Sequence, residues 1–284
     1  RKKNGIRLST LKINQYSTNY LMDCKGYSYP IDAVNTVDIE RFIDYLKSRG
    51  LSETSINMHL RTLKAMFRYF KSLGRLEIIP MIQQLSVHKK EPIYITDEEF
   101  SRLQQLESLG GFYKRVFLLY RDTGMRLREP LIATLNGKWI DISADSKSHL
   151  KRSILANDYL IPVFRELQTW LKVGHGSTLK DVGGHISKKF KWALNAVNVS
   201  KEKHFHSLRH TYAVRSLLKD ISIYEVKLLM GHASVKTTED YSSMNLKRVA
   251  QDFPSLRGKA VDTDVVDTAL YEKSYLKQYE KIKA

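Results

Sequence analysis

Three short segments in the second half of the chain combine arginine, histidine and tyrosine at fixed spacing. His206 is followed by Arg209 and His210, a Leu-Met-Gly-His run ends at His232, and Tyr241 lies nine residues further on. A guanidinium matches two phosphate oxygens at once and keeps its proton at neutral pH. A phenol, with a pKa of about 10, is a nucleophile only if its proton is removed or its anion is stabilised. These residue types suit substitution at phosphorus, with arginine stabilising the charge on the phosphate oxygens and His206 or His232 assisting the phenol.

A fourth motif supplies a second arginine, 80 residues before His206. Its sequence is Thr123-Gly-Met-Arg126-Leu-Arg-Glu129. Taken in order, the four motifs resemble those of the tyrosine recombinase (phage integrase) family: Thr-Gly-x-Arg-x-x-Glu, His-x-x-Arg-His-Thr, Leu-Gly-His, and a tyrosine nine residues after that last histidine. Any one motif is common in proteins, whereas four in this order and spacing are typical of the family.

The resemblance implies a role for each motif residue. Tyr241 is the nucleophile that forms a 3′-phosphotyrosyl link with DNA, and His206 acts as a base or proton shuttle. Glu129 orients the loop of the first arginine. The scissile phosphate is bound by three side chains, those of Arg126, Arg209 and His232. The reaction it implies is site-specific recombination, of the integration/excision or resolution type, with no metal, no other cofactor and no ATP.

The resemblance also places a general-acid lysine in the turn of a small hairpin, where its ammonium protonates the leaving 5′-oxygen. Lys147 is the first choice, and Lys151, four residues on, is the alternative. His210, one helical turn after His206, is expected to be a support residue that hydrogen-bonds the backbone.

The elements that must position these residues are mainly helical, because apolar residues recur at helical spacing through most of the chain. Capping residues and glycines set the ends. Helices are predicted over 9–24, from Thr36 to Gly50, from Ser52 to Gly74, from Thr96 to about 109, over 113–122, from after Arg126 to about 135, and over 163–172, 185–195, 207–219 and 222–230. Alternating residues predict a hairpin of two strands, 139–142 and 153–156.

The fold class expected is mainly α. The resemblance implies an N-terminal helical core-binding (SAM-like) bundle of about four helices. A mostly α catalytic domain with a small antiparallel β-sheet, the DNA breaking-rejoining fold, follows it. The predicted boundaries are 1–88 for the core-DNA-binding domain, 89–96 for the linker, 97–260 for the catalytic domain and 261–284 for a tail helix. That tail is expected to pack on its own domain or on a neighbouring protomer.

The charge balance indicates a polyanionic partner. The 284 residues carry 47 Lys+Arg against 30 Asp+Glu, a net +17, which is typical of nucleic-acid-binding proteins. On the helix predicted from Ser52, four basic residues form one stripe beside the apolar face. The candidate contacts to the DNA backbone are this stripe and a lysine pair in the linker: Arg61, Lys64, Arg68, Lys71, Lys89 and Lys90. The alternative is a solvated surface.

Other features exclude several classes of protein. No run approaches about 18 apolar residues, so no transmembrane helix is expected. The single cysteine, Cys24, excludes an internal disulfide and fits a reducing compartment. We expect a cytoplasmic protein, associated with the nucleoid when bound to DNA. The chain begins with Arg1 rather than Met, which suggests a trimmed chain. No apolar segment follows, so no signal peptide is expected.

Three other functions are compatible with part of the pattern. A type IB topoisomerase would use the same nucleophile and clamp to relax DNA. A zinc hydrolase could use His204, His206 and His210, although the glutamate of a His-Glu-x-x-His motif is missing. A non-catalytic architectural protein is disfavoured because every expected catalytic residue is present. The partners expected for a recombinase are a double-stranded recombination site, further copies of the chain as a tetramer on two sites, and accessory DNA-bending proteins; no membrane partner is expected.

Overall fold

The computed structural model describes residues 8–87, 91–143, 151–172, 179–232, 238–241 and 244–256. The chain divides into two compact units, Arg1–Lys89 and Lys90–Ala284, and each has hydrophobic clusters of its own. Three predicted site residues, Lys89, Lys90 and Lys147, lie outside the described residues, as does the predicted tail helix 261–284. No described helix is both long and apolar enough to cross a bilayer.

Three helices build the described part of the first unit: α1 (Leu8–Lys25), α2 (Thr36–Ser48) and α3 (Glu53–Ser72). Their facing apolar side chains are fully buried, among them Phe42, Leu46, Ile56, Leu60, Leu63 and Phe67. Asn35 caps α2 in a capping box with Asp38, so the cap lies one residue before the predicted Thr36. Ser52 caps α3 as predicted.

About four helices were expected in this unit, and residues 8–87 contain three α-helices and one 3-10 helix, Ile31–Ala33. The chain after Gly74 continues without a helix. Pro80 has no backbone N–H to donate. The backbone of Leu85 bonds to a side chain instead: Asn57 on α3 donates to its carbonyl at 2.9 Å and accepts from its N–H at 2.8 Å. Ile82 is buried against the three helices. The segment is therefore held by α3 rather than by helical bonds of its own.

The second unit is helical with one small sheet. Its helices are α4 (Asp97–Gln105), α5 (Gly111–Thr123), α6 (Leu160–Lys172), α7 (Leu179–Ala196), α8 (Ser207–Leu217), α9 (Ile223–Met230) and α10 (Leu246–Val249). Its strands are β1 (Ala133–Asn136), β2 (Trp139–Ile142) and β3 (Arg152–Leu155), paired antiparallel in the order β1-β2-β3.

The helix predicted from Arg126 to about residue 135 is wrong. A single 3-10 turn, Glu129–Leu131, replaces it and leads into β1. Asn136 pairs with Trp139 across a two-residue turn, in which Gly137 has φ +58°. Glycine with positive φ at the first of the two turn residues is a favoured arrangement for such a hairpin turn, so the local sequence selects a strand where we expected a helix.

A second difference is the end of α4, which stops at Gln105 rather than near residue 109. Leu106 turns to an extended conformation, and Leu109 returns to the core with 1% of its surface exposed. Gly110, predicted to end this helix, instead precedes α5 as its N-cap residue. Burial of Leu109 thus overrides the local helical signal.

Two hydrophobic clusters fill the second unit. The larger contains aromatic rings from α5, α6 and α7 and the loop before α8, namely Phe117, Tyr120, Phe164, Phe190 and Phe205. The smaller lies around α8 and α9 and contains Val214, Val226, Met230, Met244, Val249 and Phe253. Tyr241 belongs to this smaller cluster, so the predicted nucleophile is anchored in a core.

Replacement of Asn57 by alanine should destabilise the first unit by about 1–3 kcal/mol, because the Leu85 backbone would lose both partners. Asn19→Ala is the matched control, since Asn19 is exposed on α1, and it should change stability by less than about 0.5 kcal/mol. Urea denaturation followed by far-UV circular dichroism measures both. Equal effects of the two substitutions would contradict this account of the segment.

Candidate active site

Arg126 lies on a tight turn at the end of α5. Gly124 ends that helix with φ +61°, and a Cβ at this position would lie 2.4 Å from the Tyr212 ring, so the turn requires glycine. Glu129 accepts hydrogen bonds from the Arg126 backbone N–H and from Arg126 Nη1, both at 2.7 Å. The glutamate therefore fixes the position of the arginine.

A residue that sequence analysis missed, Arg152 on β3, completes this arrangement. Its Nη1 and Nη2 donate to Glu129 Oε1 and Oε2 at 3.0 and 2.6 Å, and only 4% of the residue is exposed. Burial disfavours the charged carboxylate, but the hydrogen bonds and charge of Arg152, with help from Arg126, hold the pKa of Glu129 below its usual value.

The C-terminal end of α9 brings the two motif arginines together. Arg209 donates through Nη1 to Gly124 O at 2.6 Å and through Nη2 to Met230 O. Arg126 Nη2 donates to Gly231 O at 3.0 Å. The last carbonyls of a helix have no intrahelical partner and carry partial negative charge, so they attract guanidinium groups. Each of these arginines has five N–H groups, and the carbonyls occupy only some of them.

Gly231 is also required for close approach. It has φ +60°, and a Cβ there would lie 2.7 Å from Arg152 Nη1. The next residue, His232, is buried, and its Nδ1 lies 2.9 Å from the hydroxyl of Thr238.

Positive charge exceeds negative charge in this buried region. Burial, and then Arg126 and Arg152, lower the pKa of Arg209 to about 9, while Glu129 opposes the shift. Burial and the same three arginines lower the pKa of His232 to about 3, so its ring is neutral at physiological pH. Glu129 pairs with two of the three guanidiniums, those of Arg126 and Arg152. A cluster of cations of this kind favours binding of an anion.

Tyr241 lies in the 3-10 turn Glu239–Tyr241, with 2% of its surface exposed. Its hydroxyl is 2.6 Å from His210 Nδ1 on α8. Burial raises the pKa of the Tyr241 phenol, the charge of Arg209 opposes the rise, and Asp240 adds to it. The expected backbone partner of the His210 ring is therefore wrong, because the ring faces the nucleophile candidate. Burial and then His206 lower the pKa of His210 to about 4.

His206 lies just before α8 and is exposed. Its ring centre is 4.9 Å from that of His210, nearly perpendicular, and 6.5 Å from that of His204. The described residues contain no group of three His, Cys, Asp or Glu side chains placed to hold a metal ion.

The structure thus joins the described motif residues through direct contacts and shared charge. They are Arg126, Glu129, His206, Arg209, His210, His232 and Tyr241. Of the two candidate acids, Lys147 lies outside the described residues, whereas Lys151 is exposed just before β3.

The four described residues of the predicted DNA-binding stripe lie on α3 in the first unit. Arg61, Arg68 and Lys71 are exposed, and Lys64 is half-buried, donating to Ile82 O at 3.3 Å. Three of them line a shallow pocket of about 480 Å³, together with Ala65 and Gln84. The other two predicted contacts, Lys89 and Lys90, lie outside the described residues.

Comparison with known proteins identifies the family. Residues 94–248 match the model of the phage integrase family, and residues 1–81 match that of the phage integrase SAM-like domain. The chain belongs to the phage integrase family. The resemblance inferred from the motifs is confirmed, and the chain is a tyrosine site-specific recombinase.

Two curated relatives match most of this recombinase. It is 28% identical over 265 residues to the tyrosine recombinase XerA of Pyrococcus furiosus, covering 88% of this chain and 86% of the relative. It is 26% identical over 241 residues to a tyrosine recombinase of Thermosipho africanus, covering 74% of this chain and 81% of the relative.

Solved structures confirm the fold class. The integrase of the Tn1549 transposon, in complex with transposon right end DNA, has a TM-score of 0.69 and 18% identity, covering 89% of this chain and 95% of that chain. A lambda integrase dimer bound to a COC′ core site has a TM-score of 0.66 and 21% identity, covering 84% and 89%. The small sheet and the SAM-like first unit of this recombinase agree with the expected fold.

Arg152→Met should destabilise the recombinase by about 3 kcal/mol, because Glu129 would lose its most buried partner. Adding Glu129→Gln should not recover the loss, since it also removes the carboxylate that pairs with Arg126. Arg115→Met is the matched control: it breaks an equally short but exposed pair with Glu166 and should cost less than about 1 kcal/mol. Urea denaturation of the variants tests this. An Arg152→Met protein as stable as wild type would rule out a structural role for the pair.

Proposed function

We propose that this recombinase cuts and rejoins DNA at a specific site through a covalent 3′-phosphotyrosyl intermediate, in reactions of the integration/excision or resolution type. The observation that supports the proposal is the cluster of three guanidiniums around the buried carboxylate of Glu129. Arg152 and Arg209 are buried, Arg126 is half-buried, and both Arg126 and Arg152 pair with Glu129. A phosphodiester would add negative charge to this cluster.

In the proposed reaction, Tyr241 Oη attacks phosphorus and the bond to the 5′-oxygen breaks. Arg126, Arg209 and His232 bind the non-bridging oxygens and stabilise the charge that develops on them. The leaving oxygen takes a proton from Lys147, or from Lys151 as the alternative. His206 acts as a base or proton shuttle, while Glu129 and His210 support the site.

The energy of the broken bond is retained in the tyrosyl ester. The reverse attack by a 5′-hydroxyl therefore needs neither ATP nor a nucleotide cofactor, and no step of the scheme requires a metal. The same chemistry without strand exchange would be topoisomerase activity. Strand exchange between two defined sites, rather than relaxation without sequence preference, is the outcome that we expect.

The proposed partner is duplex DNA, with four copies of the chain on two sites. Related structures include a lambda integrase tetramer bound to a Holliday junction and XerH bound to a palindromic difH substrate in a post-cleavage complex.

We propose the domain boundaries stated above, 1–88, 89–96 and 97–260. The segment 261–284 would dock on a neighbouring protomer. Accessory DNA-bending proteins and a cytoplasmic, nucleoid-associated location complete the proposal.

The first test of this function is Tyr241→Phe on a nicked suicide duplex carrying the recombination site. The variant should bind this DNA as wild type does, because the phenylalanine ring still fills the core. It should form no covalent protein–DNA adduct, since the attacking oxygen is gone. Denaturing gels report the adduct and gel shifts report binding. An adduct formed by the Phe variant would mean that another residue is the nucleophile.

If the basic stripe on α3 contacts DNA, the affinity for DNA should depend on salt concentration. Each lysine or arginine that contacts a phosphate releases about one counterion, so affinity falls with salt concentration. Replacing Arg61 and Arg68 by glutamine should weaken binding and reduce the slope of log affinity against log salt by about 1 for each contact. Lys47→Gln, an exposed change on α2, is the control. Unchanged slopes in the stripe variants would place the DNA elsewhere.

A further inference from the structure

We propose that His210 is the catalytic base that accepts the Tyr241 proton as the phenolic oxygen attacks phosphorus. The inference rests on the cleavage reaction proposed above and assigns one of its proton transfers. The motif residue His206 then acts on His210 or on the phosphate, and not on the nucleophile directly.

The contact between the two side chains is short and sheltered. His210 Nδ1 lies 2.6 Å from Tyr241 Oη, within the distance at which a base takes a proton. With the Tyr241 hydroxyl as donor, Nδ1 of the neutral imidazole is the acceptor and the ring proton is then on Nε2. Because Tyr241 is 2% exposed, bulk water does not compete for the hydroxyl.

His206 has a different relation to the nucleophile. It is exposed at the start of α8, and it meets His210 edge to face at 4.9 Å between ring centres. The position of His206 lets it relay a proton between the half-buried His210 and solvent, or reach a bound phosphate.

The surroundings of His210 keep its ring neutral at rest. The titratable and charged groups that act on it or contact it are His204, His206 and Arg209 from its own segment, and Tyr241 from the facing turn. Burial first, and then His206, His204 and Arg209, lower the pKa of His210 to about 4, so its lone pair is free at neutral pH. The proton therefore stays on Tyr241 at rest. A bound phosphodiester would offset the positive charge of Arg209 and make His210 more basic at the moment of attack.

The proposed step moves one proton from Tyr241 to His210 and another from the lysine acid to the leaving oxygen. The O–H bond of Tyr241 breaks and its proton goes to His210 Nδ1, while the oxygen forms a bond to phosphorus. The electron pair of the P–O5′ bond goes to the 5′-oxygen, which takes a proton from the lysine acid. On religation the 5′-hydroxyl returns its proton to that lysine, and the imidazolium of His210 returns its proton to the departing tyrosine oxygen.

The test compares His210→Asn with wild type in single-turnover cleavage of the suicide duplex. The asparagine amide oxygen can accept the hydrogen bond of Tyr241, but it cannot take the proton. Loss of a general base should slow adduct formation by 100-fold or more, with DNA binding and thermal melting close to wild type. His185→Asn is the matched control, because His185 Nε2 lies 2.9 Å from the Tyr113 hydroxyl on an exposed surface; it should leave cleavage unchanged.

Two further measurements separate proton transfer from positioning. A duplex with sulfur in place of the bridging 5′-oxygen has a leaving group that needs no proton, so it should rescue variants of the lysine acid but not His210→Asn. A fluorinated tyrosine at position 241 ionises more readily and should restore much of the rate of His210→Asn. A misfolded or merely mispositioned site would show no such recovery.

The outcomes distinguish this inference from the proposed function. If wild type forms no Tyr241-dependent adduct, the proposed function fails. If wild type forms that adduct and His210→Asn forms it equally fast, or if fluorination gives no recovery, only the role of His210 is overturned.

Discussion

The constraint on which the site depends is the clustering of three guanidiniums, two of them buried, around the buried carboxylate of Glu129. Glu129 holds Arg126 and Arg152 by short hydrogen bonds, and it partly offsets the charge of Arg209. Burying unpaired charge costs free energy, so the folded chain carries a local excess that an anion relieves. Burial, and then the three arginines, lower the pKa of His232 and keep its ring neutral. The arginine cluster thus also influences the protonation state of a neighbouring motif residue.

Backbone carbonyls direct these arginines without neutralising them. The last residues of α9 present carbonyl groups to Arg126 and Arg209, and a carbonyl is a dipole with no net charge. The glycine at 231 permits this approach because any side chain there would collide with Arg152. A fixed orientation with the charge retained is what stabilises a transition state whose charge develops on oxygen. Tyr241 belongs to the smaller hydrophobic cluster around α8 and α9, and its hydroxyl contacts His210 Nδ1.

Sequence predicted much of this arrangement because the motifs are local and their spacing is characteristic. Helical periodicity predicted most helices, since their apolar faces repeat every three or four residues. Strand β1 was missed because four residues carry too little periodicity, although Gly137, the first residue of the turn after it, was a usable signal. Arg152 was missed because its partner Glu129 is 23 residues away and packing alone brings the two together. An arginine on the same strand face as the buried Ile154 was a hint that a buried acid faces it. The His210–Tyr241 contact, 31 residues apart, likewise depends on tertiary structure.

The most direct test is whether removing the charge of the scissile phosphate makes the guanidinium of Arg126 unnecessary for cleavage. A suicide duplex can carry a neutral methylphosphonate in place of the scissile phosphodiester, and its cleavage by wild type and by Arg126→Ala can be compared in single turnover. If the guanidinium acts by neutralising phosphate charge, Arg126→Ala should be inactive on the phosphodiester and should regain cleavage on the uncharged linkage. The account would be contradicted if Arg126→Ala cleaved the phosphodiester as fast as wild type does, or if it failed to cleave either substrate.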